Sequence, residues 1–312
     1  MGFLLFFVAL VVLLTIGVQF SYRNLKSRND PLSYEVVSQP LKGTEEIVTT
    51  ADGTKLWTVT MGSGARTVFM AHGYGITSRE WNVIADKLLA QGYKLIAFDQ
   101  RGHGKSTIGS QGISSAAMAS DTKTLLEHFN LKDIILLAHS MGTFLSITFL
   151  LTYPDVAQRL KAAVLMSSFA GDIFNGSPQS RLQITLINLG LMKYILGSQS
   201  MGAVLFGATL FGDNPSYAGV RVFLEDIRSN DLTKLVPILQ AFGHENNYSK
   251  VASISVPITV ICGRKDKTTP PWHTEKLAST IPNARVAWIE GAGHVLNWES
   301  PDVVVEAVKA VG

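Results

Sequence analysis

Ile134-Ile-Leu-Leu-Ala138-His139-Ser140-Met141-Gly142-Thr143 is the stretch around which the rest of the chain is organised. Its first five residues form an apolar run of strand type, and an amphipathic stretch from Phe144 to Tyr153 begins directly after it. Ser140 therefore falls on a tight strand-to-helix turn, the arrangement of a nucleophile elbow. Such a turn forces the serine into strained backbone geometry, so the positions two residues to either side need small side chains. Ala138 and Gly142 meet that need. The geometry lifts the Ser140 hydroxyl clear of the sheet and leaves the Met141 N–H at a helix start, aimed where negative charge would develop. The plainer alternative is a serine that caps a helix after a buried strand. The rest of the chain decides between them.

At 312 residues the length suits one large α/β domain or two small ones. With 46% hydrophobic and 16% charged residues the chain is more apolar than an average soluble domain. Part of that excess lies at the N-terminus. A formal charge of +3, scattered along the chain, gives no electrostatic footprint for nucleic acid. Cys262 is the single cysteine, which excludes an internal disulfide and a cysteine-based zinc site. No histidine or acid cluster has metal-ligand spacing, and no cofactor is called for. Oligomeric state is not legible.

Phe3 to Phe20 is an uncharged run of roughly the length that spans a bilayer as a helix. A cleavable signal peptide would start with basic residues, carry a shorter apolar core and end in a small-residue cleavage site; none of these is present. A buried helix would show a polar face. An uncleaved single-pass membrane anchor fits best, and Arg23, Lys26 and Arg28 directly after it orient the catalytic domain to the cytoplasm. The expected organisation is an anchor and basic flank over 1–28 and a linker over 29–44. A core over 45–167 and 252–312 follows, with a helical cap over 168–251.

The core is read from alternation. Glu46–Thr49 and Lys55–Thr60 flank Asp52-Gly53, a hairpin signal. Strand-type runs then recur at Thr67–Ala71, Lys94–Phe98, Ile134–Ala138, Ala162–Met166, Ile258–Cys262 and Arg285–Ile289, with helical stretches between them. Strands and helices alternating at this spacing imply an α/β fold with a mostly parallel sheet covered on both faces. From Ser168 to about Val251 the alternation stops, and Leu, Ile, Met and Phe dominate without a strand of that kind. This reads as a helical insertion over the carboxyl edge of the sheet, where open α/β sheets bind ligands.

A serine nucleophile needs a base, and the base an orienting acid. His294 lies in Gly291-Ala-Gly-His294 just after the last strand, and Asp266 in Gly263-Arg-Lys-Asp266 just after the preceding one. Alone, His294 reads as a turn residue and Asp266 as a helix cap. Together, at consecutive strand ends behind an elbow serine, they form a candidate triad in the order Ser140, Asp266, His294. An oxyanion also needs donors. One is the Met141 N–H; the other is assigned to Tyr74 in His72-Gly73-Tyr74-Gly75, a glycine-rich loop after an earlier strand. The bland reading of that loop is a turn that its glycines permit.

Ala71-His-Gly-Tyr, Phe98-Asp-Gln-Arg-Gly-His-Gly-Lys-Ser, Ala138-His-Ser-Met-Gly, Gly263-Arg-Lys-Asp and Gly291-Ala-Gly-His, in this order, resemble the α/β-hydrolase superfamily. The nearest likeness is to its serine esterases, monoacylglycerol-lipase-like and haloperoxidase-like members. The resemblance covers about residue 45 to the C-terminus and implies the same triad and oxyanion donors. It also implies that Asp99, Arg101 and His103 are structural. Two positions depart from the family pattern. Ala138 replaces a more usual Gly, and Thr143 stands where many relatives carry a second Gly, which is expected to loosen or shift helix packing against the strand; neither removes the chemistry.

A serine at the elbow argues against the epoxide hydrolases and haloalkane dehalogenases of this fold, which use an aspartate. The expected function is hydrolysis of carboxylic esters of hydrophobic or lipid-like substrates, with the apolar stretch Leu182–Phe211 lining an acyl pocket. Carbon–carbon (diketone-type) hydrolysis and lactone opening on the same residues, acyl transfer to another alcohol, and a catalytically silent binding protein are the alternatives.

Overall fold

The computed structural model describes residues 2–312; the side chains of residues 2–5, 7, 8, 11 and 178 lie outside that description. Helix α1 (Gly2–Ser27) and one-turn α2 (Tyr34–Val37) precede β1 (Thr44–Thr49), β2 (Lys55–Met61) and β3 (Thr67–Ala71). Then come α3 (Asn82–Ala90), β4 (Lys94–Phe98), α4 (Ser115–His128) and β5 (Ile134–His139). The chain continues through α5 (Met141–Thr152), α6 (Pro154–Ala157) and β6 (Leu160–Met166). Five helices follow: α7 (Pro178–Asn188), α8 (Met192–Gly197), α9 (Gln199–Leu210), α10 (Tyr217–Ser229) and α11 (Leu232–His244). Last are β7 (Ile258–Gly263), α12 (Pro271–Thr280), β8 (Arg285–Ile289), α13 (Leu296–Glu299) and α14 (Pro301–Lys309).

Among the described residues the strands form one eight-stranded sheet in the order β1-β2-β4-β3-β5-β6-β7-β8. β1 and β2 are the hairpin that Asp52-Gly53 predicts, with Thr49 opposite Lys55, and β2 also pairs antiparallel with β4; the remaining pairs are parallel. All six residues of β5 are buried. A strand covered on both faces needs that continuous apolar run rather than an alternating one. Leu136 and Ala138 face a cluster with Leu125, Phe149 and Leu277 from α4, α5 and α12. Ile135 and Leu137 face Ile84, Leu88, Val304 and Val308 from α3 and α14.

The strand order fixes where the site can be. After β3 the chain turns to one side to form β4, then crosses back to the other side to form β5. The loops leaving β3 and β5 thus diverge and open a crevice at the carboxyl edge, the switch point of an open α/β sheet. Helices α7 to α11 lie over that crevice, packing Phe206, Phe223, Ile227 and Phe242 onto Ile76, Met141, Phe144 and Val295.

The N-terminus departs from expectation. Among the described residues no helix is long and apolar enough to cross a membrane, so the expected single-pass anchor, the membrane localisation and the cytoplasmic orientation derived from it are corrected. Part of the run Phe3–Phe20 lies outside the described side chains. The end of α1 is committed to protein contacts. Gln19 Nε2 donates to Ser200 Oγ at 3.0 Å, the Tyr22 and Tyr217 hydroxyls are 2.8 Å apart, and Leu25 is buried against Gly207. A hydropathy reading counts the absence of charge and does not see these contacts. Within residues 29–44, expected as a linker, the segment around Val37 packs on α3: Asn82 Nδ2 donates to the carbonyls of Val36, Val37 and Gln39, and Val37 is fully buried.

Arg101 shows what the glycine-rich segment after β4 does. Its guanidinium is buried, donating to Asp121 of α4 at 2.8 and 2.7 Å and to Asp52 of the β1–β2 turn at 2.5 Å. Removing one partner of a buried charge network leaves the others uncompensated, at a cost of about 3–5 kcal/mol. Arg101→Ala is therefore expected to lower unfolding free energy by about that amount in urea titration; a change below about 1 kcal/mol, the range of an exposed pair, contradicts the assignment.

Candidate active site

Ser140 stands at the junction of β5 and α5 with φ 49° and ψ −115°, a left-handed conformation that costs a non-glycine residue about 1–3 kcal/mol. The strain is held in place by close packing two residues on, at Gly142. A Cβ on Gly142 would sit 2.2 Å from the Ala71 carbonyl oxygen, so only glycine lets α5 approach β3 this closely. Thr143 does not loosen the helix: it is fully buried, its hydroxyl donates to the Ser140 carbonyl at 2.7 Å, and it accepts the Phe169 N–H at 3.4 Å. The extra side-chain volume is absorbed by a hydrogen bond that ties the elbow to the segment after β6.

The loops after β7 and β8 bring Asp266 and His294 to Ser140. His294 Nε2 lies 2.9 Å from Ser140 Oγ, and His294 Nδ1 lies 2.9 Å from Asp266 Oδ2. All three side chains are buried. Asp266 Oδ1 accepts the N–H groups of Thr268 (2.9 Å) and Thr269 (2.8 Å), and Oδ2 accepts the Thr269 hydroxyl at 2.7 Å. Burial alone would raise the Asp266 pKa. The His294 ring and the Thr269 donors outweigh it and hold the carboxyl below its ordinary value, as the anion. The His294 backbone is pinned from both sides: its N–H donates to the Leu210 carbonyl of α9 at 2.7 Å, and its carbonyl accepts from Ser167 Oγ at 2.7 Å.

Tyr74, one of the two expected oxyanion donors, lines the cavity beside Ser140. Met141 opens α5, where first-turn N–H groups have no intrahelical acceptor. In the β3 loop the Gly73 N–H is taken by Glu80 Oε1 at 3.0 Å, and Tyr74 is the next amide along. Asp99, Arg101 and His103 stand apart from this array. Asp99 accepts the Ser78 N–H and hydroxyl, and burial pushes the His103 imidazole down to about 3, so it is neutral.

A cavity of about 280 Å³ opens onto Ser140 and His294. Its wall comes from the inserted helices, with Leu182, Leu186, Met192, Ile195, Phe206 and Phe223 prominent, and Gln179 and Gln183 among its polar members. Among the described residues its lining contains no Lys, Arg, Asp or Glu. Sequence reasoning missed two supports of the array. Thr268-Thr269 follow the acid at the offsets of an Asx-type turn, a signal that was available. Glu80, from a short helical turn before α3, reaches His139 with no local pattern to announce it.

A sheet of this order, with a Ser–His–Asp array at its carboxyl edge beneath a helical layer, defines the architecture of an α/β hydrolytic enzyme. The chain belongs to the alpha/beta hydrolase fold family, whose model matches residues 66–301. A 2-hydroxy-6-oxononadienedioate/2-hydroxy-6-oxononatrienedioate hydrolase from Cupriavidus pinatubonensis is 28% identical over 268 residues, 82% of this chain and 91% of that protein. A non-heme chloroperoxidase from Kitasatospora aureofaciens is 27% identical over 254 residues, 80% of this chain and 91% of that one. Among solved structures, an esterase from Exiguobacterium antarcticum superposes with a TM-score of 0.76 at 23% identity, covering 86% of this chain and 99% of that chain. The general activity is that of a hydrolase.

The elbow packing gives a direct test. Gly142→Ala places a methyl against the Ala71 carbonyl and is expected to destabilise the fold by about 1–3 kcal/mol in chemical denaturation. Unchanged stability contradicts the close approach of α5 to β3.

Proposed function

We propose that the protein hydrolyses carboxylic esters of neutral, hydrophobic acids through an acyl-enzyme on Ser140. The observation that carries this reading is the largely apolar cavity, free of Lys, Arg, Asp and Glu, ending at a serine hydroxyl already hydrogen-bonded to His294. In the first half-reaction Ser140 Oγ attacks the ester carbonyl carbon while His294 Nε2 takes its proton. Asp266 accepts the hydrogen bond from His294 Nδ1–H, fixing the tautomer and offsetting the imidazolium charge. The tetrahedral oxyanion is received by the Tyr74 and Met141 N–H groups. Its collapse breaks the C–O bond to the alcohol, which leaves with the proton from His294. Water, deprotonated by the same imidazole, then attacks the acyl carbon and returns Ser140.

The helices within 168–251 supply the acyl wall and act as the cap of this site. Relatives bear names for different chemistries, so a transferred name cannot choose among them. The cavity can. A dienedioate substrate such as the Cupriavidus pinatubonensis relative's name gives has two carboxylates, and burying one without a cation is costly. The lining offers neither Lys nor Arg, and the His139 ring that lines it is already paired with Glu80, which favours neutral esters.

Fluorophosphonate labelling combined with a series of p-nitrophenyl esters tests this. Labelling is expected in the wild type and absent in Ser140→Ala. Each buried methylene contributes about 0.8 kcal/mol, so kcat/KM is expected to rise about four-fold per carbon from acetyl upward until the cavity is full. A strict preference for acetyl over octanoyl, or faster turnover of a dienedioate than of any ester, contradicts the proposal.

A further inference from the structure

His139 precedes the nucleophile, is 1% exposed, and takes no part in the proton transfers described above. Its ring lies between two acceptors. Nδ1 is 2.8 Å from Glu80 Oε2, and Nε2 is 3.0 Å from the carbonyl oxygen of His294. A carbonyl cannot donate, so Nε2 carries a proton. Burial works against a charged ring, but the Glu80 carboxylate, the His294 carbonyl and the more distant Asp266 charge outweigh it and raise the His139 pKa above its ordinary value. The other oxygen of Glu80 accepts the Gly73 N–H at 3.0 Å, and the Glu80 carbonyl accepts from Asn297 Nδ2 at 3.0 Å. The Glu80 side chain is 1% exposed. One buried pair thus touches the loop after β3, the last residue of β5 and the loop that carries His294.

We propose that His139 and Glu80 are positioning residues: a buried cross-brace that fixes the spacing between the Tyr74 oxyanion loop, Ser140 and His294. The proposal rests on the ester-hydrolase reading of this site. It follows from the connectivity. Gly73 adjoins Tyr74 in the chain, His139 adjoins Ser140, and the His294 carbonyl belongs to the residue whose ring reaches Ser140. Each end of the brace is therefore one peptide unit, or less, from a reacting group. Without it the three loops are held separately, by contacts such as Ser167 to His294 and Thr143 to Ser140. A misplacement of about 1 Å at a reacting group lowers rate by about 100-fold.

The test measures kcat and KM for a medium-chain p-nitrophenyl ester in the full-length protein and in four variants. Glu80→Ala and His139→Ala are expected to lower kcat about 100-fold. In Glu80→Ala, which leaves the cavity lining unchanged, KM is expected within about two-fold of wild type, and this variant carries the KM test because His139 itself lines the cavity. The double variant is expected to cost no more than either single one, since each breaks the same brace. Glu80→Gln keeps an acceptor for Gly73 and a donor for a neutral His139, and is expected to restore kcat to within about ten-fold of wild type. This variant also keeps the question open to experiment where the alanine variants fold poorly. Wild-type kcat in folded Glu80→Ala, additive losses in the double variant, or equal losses in Glu80→Gln and Glu80→Ala each overturn the brace. A wild type that neither labels with fluorophosphonate nor turns over any ester is a different failure: it removes the ester-hydrolase reading on which the brace rests.

Discussion

The hydrogen bond between Ser140 Oγ and His294 Nε2 joins side chains 154 residues apart, and much of the fold serves to make it. It requires Ser140 to hold a left-handed backbone conformation, and that conformation persists because the surrounding structure determines it. Gly142 lets α5 lie against the end of β3, and the Thr143 hydroxyl bonds back to the Ser140 carbonyl. On the other side, the loop bearing His294 is clamped between Leu210 of α9 and Ser167 at the end of β6. The elbow and the histidine loop are thus fixed by different elements. The sheet sets the distance between them.

Much of this was legible in the sequence. The apolar run Ile134–Ala138 could only be a strand covered on both faces, and Ser140 between small residues marked the turn after it. Asp266 and His294 were found because each directly follows a strand-type run, and the carboxyl ends of parallel strands share one edge. What was not legible is contact between distant segments that leaves no local period. Glu80 meets His139 across 59 residues, and nothing in its neighbourhood marks it as a partner of the site. Thr143 was misread for the same reason: as a replacement for glycine it suggested loosened packing, whereas its hydroxyl found two backbone partners. The N-terminal run misled in the opposite sense. Its lack of charge suggested a bilayer, while Gln19 and Tyr22 had protein partners in the inserted helices.

The inserted helices connect the fold to the choice of substrate. α9 contributes Phe206 to the cavity wall and accepts the His294 N–H at the Leu210 carbonyl, so the element that shapes the proposed acyl site also helps hold the proposed base. The N-terminal segment reinforces it from outside: Asp30 accepts the Ser216 hydroxyl and the Ala218 N–H at the start of α10. Substrate-binding wall, proposed base and outer strap form one packed unit. This accounts for a cavity that is largely apolar yet ends at a set of polar groups with defined partners. The carboxylates are kept behind the wall: Asp266 and Glu80 pair there with His294 and His139, whose rings line the cavity.

The central claim is that the hydroxyl lifted by the elbow becomes covalently acylated during turnover. Rapid acid quenching during hydrolysis of a slowly deacylating ester, followed by intact mass measurement and peptide mapping, tests it most directly. A single added acyl mass is expected on the peptide containing Ser140, formed before the steady state and lost as product appears. Turnover with no acylated protein, or an acyl group mapped to any other side chain, contradicts it.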